Sequence, residues 1–302
     1  MKSMTLSFNL DARHHTDEMT QAMQRISLSG VQEKFPAVVD GGKIRLAADG
    51  ERSTHILKPA PWDVSLSERW HIPANEYLTM QIASQVYGIE VVDNGLCKTP
   101  NGHLVYITSR FDISPSGIKY PMEDMATLIG KSENYGGTTF KYKGSYLDIA
   151  KCIRRYIPAW MTEMEKFFEL VVFNYIYANG DAHLKNFSVM LSDGDYHLTP
   201  AYDLLNTALH VRDEDFALDG GLSPDMPHSE NYIRTGHPCR QDFEWFANEI
   251  YLVNSRSRKI LDKFMTVPDT TRQLINDSQL SEKLKRNYLR IITERVSRFV
   301  RQ

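Results

Sequence analysis

The chain has 302 residues, enough to bury a large core as one bilobal unit or two domains. With 35 Lys and Arg against 38 Asp and Glu, its net charge is −3, so its overall field points to neither nucleic acid nor membrane. Cys97, Cys152 and Cys239 lie far apart without metal spacing, and no apolar run reaches membrane-spanning length. His14, His15, Asp17 and Glu18 stand where a signal peptide needs apolar residues, so a reducing cytosol is expected.

Residues 1–24 are polar and read as a loose lead-in. Next comes Ser27-Leu28-Ser29-Gly30-Val31-Gln32-Glu33-Lys34, then Ala37-Val38-Val39, the turn Asp40-Gly41-Gly42 and Lys43-Ile44-Arg45-Leu46. This predicts a Ser/Gly loop, a strand, a Gly turn and a second strand. A Ser/Gly loop can lay backbone N–H groups on phosphates, although it is also a common plain turn. His55-Ile56-Leu57-Lys58 predicts a strand ending in a lysine. Leu78, Ile82 and Val86 predict a helix over 74–87 that stops at Gly88. Glu76 falls in its first turn, where it either complements the helix dipole or reaches Lys58.

Residues 89–92 and 104–108 flank Asn101-Gly102 and predict a hairpin. Ser109-Arg110-Phe111-Asp112 comes after it, where the chain passes from a β-rich lobe to an α-rich one and an adenine could dock. Helices are expected over 123–130, 145–157 and, most strongly, 162–178, with Thr162 as cap and Glu165 completing a capping box. Residues 131–139 read as loop and 206–238 as a long loop region. Further helices are expected over 242–250, 255–265 and 281–300. The last carries Lys283, Lys285, Arg286, Arg290, Arg295 and Arg298, with Leu284, Leu289, Ile292 and Val296 between them. That pattern favours an amphipathic helix with a solvated basic side over a nucleic-acid face.

The chemistry concentrates in Asp181-Ala182-His183-Leu184-Lys185-Asn186-Phe187-Ser188. Asp181 and Asn186 are five positions apart. A short apolar run, the turn Ser192-Asp193-Gly194-Asp195 and a second run lead to Tyr202-Asp203. Asp, Asn, hairpin, Asp is the order phosphoryl transfer asks for: one Asp takes the acceptor proton, while the Asn and the second Asp hold metal against the phosphates. The hairpin should return Asp203 beside Asn186.

With these residues in place, the chain resembles the HipA-like serine/threonine kinases of bacterial toxin–antitoxin systems. The resemblance rests on the Ser27–Lys34 loop, His55-Ile56-Leu57-Lys58, Asn75-Glu76-Tyr77, Arg110-Phe111-Asp112, Glu123-Asp124-Met125, the Asp181–Ser188 loop and Tyr202-Asp203. It implies an α+β, bilobal kinase-like fold. A β-rich N-lobe would span 25–112 and a helical C-lobe 113–302, with ATP and Mg²⁺ between them. By the same resemblance Asp181 and Lys185 are catalytic. Lys58, Glu76, Ser109, Phe111, His183, Asn186 and Asp203 bind nucleotide, with Asn186 and Asp203 on the metal. Ser27 and Ser29 are autophosphorylation sites that would switch ATP binding off. The family has an acidic residue where Ser109 stands, which leaves anchoring there to backbone groups.

Few residues precede the Ser loop, so the chain is similar to the short HipT type, in which a small HipS-like partner supplies an N-terminal subdomain. An antitoxin of HipB type and an aminoacyl-tRNA synthetase as substrate are implied, with nucleic acid reached only through the antitoxin. Two other readings stand beside this one. A small-molecule phosphotransferase of aminoglycoside- or choline-kinase type would share Asp-x-His-x-x-Asn and the later Asp. A kinase-like binding module within a repressor complex would need no turnover.

Overall fold

The computed structural model describes residues 4–10, 32–114 and 116–301. Ser27 and Ser29 lie outside the described residues.

A six-stranded sheet forms the first lobe. Its strands are β1 (Met4–Thr5), β2 (Phe35–Asp40), β3 (Lys43–Leu46), β4 (His55–Pro59), β5 (Asn94–Lys98) and β6 (Leu104–Ser109), in the order β1-β5-β6-β4-β2-β3. All pairings are antiparallel except β1 on β5. Side-chain alternation sorts the two faces. Leu57, Val105 and Ile107 join Phe35, Ala37, Ile44 and Cys97 in a small outer core. Ile56, Lys58 and Thr108 fall on the opposite face and line the cleft.

The start of the chain is not loose where it is described. Met4 pairs with Cys97, and Leu6 and Leu10 are buried in the outer core. A second difference concerns the expected 89–92 strand. The partner of β6 is β5 (Asn94–Lys98), while Val91 only bridges to Ala201 and Val92 donates its N–H to the Ala201 carbonyl. The β-branched run signals burial correctly, but it is used to tie the two lobes together just before Asp203.

Helix α1 (Ile72–Tyr87) crosses the sheet and ends on Gly88 at φ 70°. It begins two residues earlier than expected, with Pro73 in its first turn. Glu76 is therefore beyond that turn, and the dipole reading of it loses its basis. The helical lobe opens with β7 (Met122–Asp124) and the single turn α2 (Met125–Leu128), so the helix expected over 123–130 begins as strand and shrinks to one turn. Residues 131–139, expected as loop, contain the turn α3 (Glu133–Gly136) and enter a 3-10 segment at Gly137–Tyr142.

Helix α4 (Tyr146–Tyr156) carries a capping box made by Ser145 and Asp148. The box expected at Thr162 and Glu165 does not form. Pro158 interrupts the helical path, and α5 (Trp160–Ile176) restarts two residues later without a side-chain cap. Phe167, Phe168, Val171, Val172 and Phe173 make α5 the centre of the main core. The hairpin β8 (Ser188–Ser192) and β9 (Asp195–Leu198) pairs with β7 as a small sheet.

Four longer helices and one short one close the lobe: α6 (Glu230–Thr235), α7 (Arg240–Glu249), α8 (Asn254–Asp262), α9 (Asp269–Asp277) and α10 (Glu282–Val300). The sequence pattern alone does not announce α9. Ser281 caps α10, whose Leu284, Tyr288, Ile292, Val296 and Phe299 are buried. Its cations meet acids: Lys283 meets Glu68, Arg290 and Arg298 meet Glu294, and buried Arg295 meets Asp215. The amphipathic reading of this helix therefore holds. Among the described residues no helix is long and apolar enough to cross a membrane.

Candidate active site

The loop that carries Asp181 and Asn186 hangs from the end of α5. Ala178 adopts φ 53°, an uncommon left-handed turn for a residue with a side chain. Thr207 secures it by donating its backbone N–H to the Ala178 carbonyl at 3.0 Å. Asn179 ties the loop both to α5 and to the returning strand. Its amide donates to Asn174 Oδ1 at 2.9 Å and to the Asp203 carbonyl at 3.4 Å. Asn186 is oriented locally, because the His183 N–H donates to its Oδ1 at 3.1 Å. Asp193 and Gly194 take φ 52° and 84°, the geometry of a tight hairpin turn, and the chain returns. Asn186 Nδ2 then lies 3.4 Å from Asp203 Oδ2, as the spacing predicts.

The sheet supplies the other half. Lys58 is 3% exposed and donates to Glu76 Oε1 at 2.6 Å. Its ammonium also contacts Asp203 Oδ1. The same lysine therefore bridges sheet, α1 and the returning hairpin. Lys34 adds a second cation, 3.5 Å from Asp203 Oδ2. The charges compensate unequally. Burial works against the Lys58 ammonium, but Asp203 and Glu76 outweigh it and hold it charged. Burial likewise works against the Asp203 carboxylate, but Lys34 and Lys58 pull its pKa well below the ordinary range. Glu76 is left the weaker acid, pushed up by burial more than Lys58 pulls it down.

Asp181 faces the same cleft. Burial raises its carboxyl, while the Tyr142 hydroxyl, donating to Oδ1 at 2.7 Å, lowers it. His183 is buried and its pKa falls to about 3, first through burial and then through Lys141. It is thus a neutral ring, packed edge-on to Tyr142 at 5.3 Å. Lys185 turns aside, its ammonium 2.8 Å from Asp124 Oδ2 at the cleft edge. Phe111 stacks on Tyr202 with ring centroids 5.5 Å apart. The Tyr202 hydroxyl donates to the Lys185 carbonyl at 2.8 Å and accepts from Ser188 at 2.7 Å. Ser109 sits at the lobe crossing with its N–H bound to the Asp93 carbonyl at 2.9 Å.

All nine of these expected residues line one cavity of about 810 Å³ between the lobes. Ile56, Val92, Phe111 and Met122 give it apolar walls, and Lys34, Lys58, Asp181, Asn186 and Asp203 a charged floor. A planar apolar group with a polyanionic tail fits this division. Sequence reasoning misses Lys34, Tyr142 and Asn179 as site residues. Lys34 closes the Ser/Gly stretch and Asn179 stands two residues before Asp181, so both carry a usable signal. Tyr142 is placed by tertiary contact alone.

The family model of the HipA-like C-terminal domain matches residues 26–271. This chain belongs to the HipA-like family. It is 32% identical over 208 residues to the putative kinase Y4dM of Sinorhizobium fredii, covering 64% of this chain and 48% of the relative. It is 25% identical over 241 residues to the serine/threonine-protein kinase toxin HipA of Shewanella oneidensis, covering 72% and 50%. The chain thus spans about half the length of the curated relatives it matches. Among solved structures it superposes on the Shewanella oneidensis HipA of a complex with HipB and operator DNA. There the TM-score is 0.69 at 20% identity, covering 91% of this chain and 65% of that one. It also superposes on the Helicobacter pylori proinflammatory kinase CtkA, with a TM-score of 0.54 at 13% identity, covering 90% and 93%. At these identities the structures establish the fold, which is kinase-like, with a curled β-sheet lobe and a helical lobe.

Proposed function

We propose that this protein is an ATP-dependent serine/threonine kinase of HipA type, acting as a toxin in a cytosol. One observation carries the reading: Lys58, Glu76, Asp203, Asn186 and Asp181, scattered along the sequence, meet on the floor of one cleft. Lys34 and Lys58 supply the positive charge that nucleotide phosphates need. Asn186 and Asp203 would hold Mg²⁺, which uses one or two protein ligands and completes its shell from phosphates and water. When bound, the metal neutralises charge on the phosphates. Asp181 would orient the acceptor hydroxyl and take its proton; it is open to solvent at the cleft, where an acceptor could reach it, and its raised pKa suits a base rather than a permanent anion. Neutral His183 supports the loop through packing, and its N–H orients Asn186.

The family resemblance extends the proposal to a translation-related substrate such as an aminoacyl-tRNA synthetase. It also extends to autophosphorylation at Ser27 or Ser29, to an antitoxin of HipB type and to a small HipS-like partner. A phosphate on the Ser loop would bring close to two negative charges towards the nucleotide phosphates. The discriminating experiment offers radiolabelled ATP and Mg²⁺ with a bacterial lysate, and separately with aminoglycosides and amino alcohols. Label on a lysate protein that is lost with Asp181→Asn is the expected result. Label on small molecules only would instead make the chain a small-molecule phosphotransferase, and no turnover would leave a binding module.

A further inference from the structure

Asp213 belongs to none of the machinery above, yet it sits directly beneath the catalytic loop. A Cβ at Gly180 would fall on its carboxylate, so only glycine fits before Asp181. Asp213 Oδ1 accepts from the Glu214 N–H at 3.0 Å, and Oδ2 contacts the Thr207 hydroxyl. That hydroxyl has two further partners. The Gly180 N–H donates to it at 2.8 Å, and the Ala178 carbonyl lies 3.0 Å away as an acceptor.

Two oxygens contend for one hydroxyl proton here. A threonine hydroxyl has one proton and two lone pairs. Were Asp213 ionised, the single proton would go to Asp213, the Ala178 carbonyl would keep only the Thr207 backbone N–H, and the Thr207 hydroxyl oxygen would face that carbonyl oxygen at 3.0 Å with no proton between them. With a proton on Asp213 Oδ2 the chain closes: Asp213 donates to Thr207, Thr207 donates to Ala178, and Gly180 donates to Thr207. We propose that Asp213 is held as a neutral carboxylic acid whose proton completes this chain, making it the positioning residue of the 178–181 turn and hence of Asp181.

The surrounding charges agree. Burial pushes the Asp213 carboxyl up, Thr207 and the Glu214 N–H pull it down, Asp181 pushes it up and Arg295 of α10 pulls it down, with a net rise. Tyr142 and Tyr146 face it from the neighbouring elements. Arg212 and Glu214 flank it in its own segment. A neutral acid here also spares Asp181 a like charge next door.

The functional half of this proposal rests on the kinase reading; the protonation half does not, and one experiment separates them. The full chain is labelled with aspartate carrying ¹³C in its side-chain carboxyl, and the signal missing from Asp213→Asn is followed against pH. It should titrate above the ordinary aspartate value of about 3.9, and titration at or below it overturns the proposal. MgATP turnover is read alongside. Asp213→Ala should lose about tenfold or more through misplacement of Asp181. Asp213→Asn, whose amide can donate to Thr207, should keep most turnover and lack the decline that wild type shows as Asp213 ionises. An inactive Asp213→Asn, or an Asp213→Ala matching wild type, contradicts the positioning role. Absence of turnover in wild type removes the kinase reading, and the carboxyl titration alone then decides the protonation state of Asp213.

Discussion

Lys58 has lost nearly all contact with solvent and is held by two carboxylates instead. A buried pair of this kind contributes little over an apolar substitute, but removing one partner alone is costly. Lys58→Met should therefore destabilise the fold by about 3 kcal/mol, because buried Glu76 loses its cation and Asp203 keeps only Lys34. Denaturant unfolding reads this. A change under about 1 kcal/mol would mean that Glu76 is solvated, against its burial. Asp181 shows the same balance in a functional form. Desolvation in the cleft raises it, the Tyr142 hydroxyl lowers it, and the proposed role as base requires the ionised form. Tyr142→Phe removes a lowering contact, so the pKa of Asp181 should rise further. The acid limb of the rate profile should then move to higher pH. A limb that stays in place or moves down would take Tyr142 off the base.

At the scale of elements, the site depends on two local devices. One is the β8–β9 hairpin, whose Asp193 and Gly194 are both at positive φ. Open space surrounds a Cβ added at Gly194, so Gly194→Val should cost only its backbone strain, about 1 kcal/mol. Because the tip lies away from the cleft, the folded variant should bind nucleotide like wild type, which calorimetry can check. The other is the joint between α1 and the segment after Asp203. Asn75 Nδ2 donates to the Asn206 carbonyl at 2.8 Å, and the Asn206 N–H donates to Asn75 Oδ1 at 3.2 Å. Asn75→Ala strands these buried groups, at about 2 kcal/mol of stability. It also frees the helix that presents Glu76, so the KM for ATP should rise. An unchanged KM would show that α1 is held by packing alone.

For the whole molecule, the sequence is most readable where geometry is local. Asp181, Asn186 and Asp203 are linked by a loop and a hairpin, and their meeting follows from spacing and turn chemistry. The bond between Lys58 and Glu76 is one of two readings that the sequence leaves open, and only the true start of α1 excludes the other. Residues 89–92 mislead because a β-branched run signals burial without saying against what. Pro158 is the sign, easily missed beside the strong apolar pattern, that α5 starts at Trp160. Tyr142 and Asp213 reach the loop from segments with no motif of their own, through contacts that exist only in the folded chain, while Asn179 lies two residues from Asp181 and within reach of the motif. The proposed cytosolic setting and partners rest on the family resemblance rather than on any patch on this surface.

The central claim is that Asp181 directs phosphoryl transfer from ATP. It is tested most directly by intact mass, with peptide mapping, after dephosphorylated wild type and Asp181→Asn are incubated with ATP and Mg²⁺. The account predicts the gain of a phosphate on Ser27 or Ser29 in wild type and none in the variant, whose folding is checked by its melting curve. An equal gain in both, or no gain in either, would contradict it.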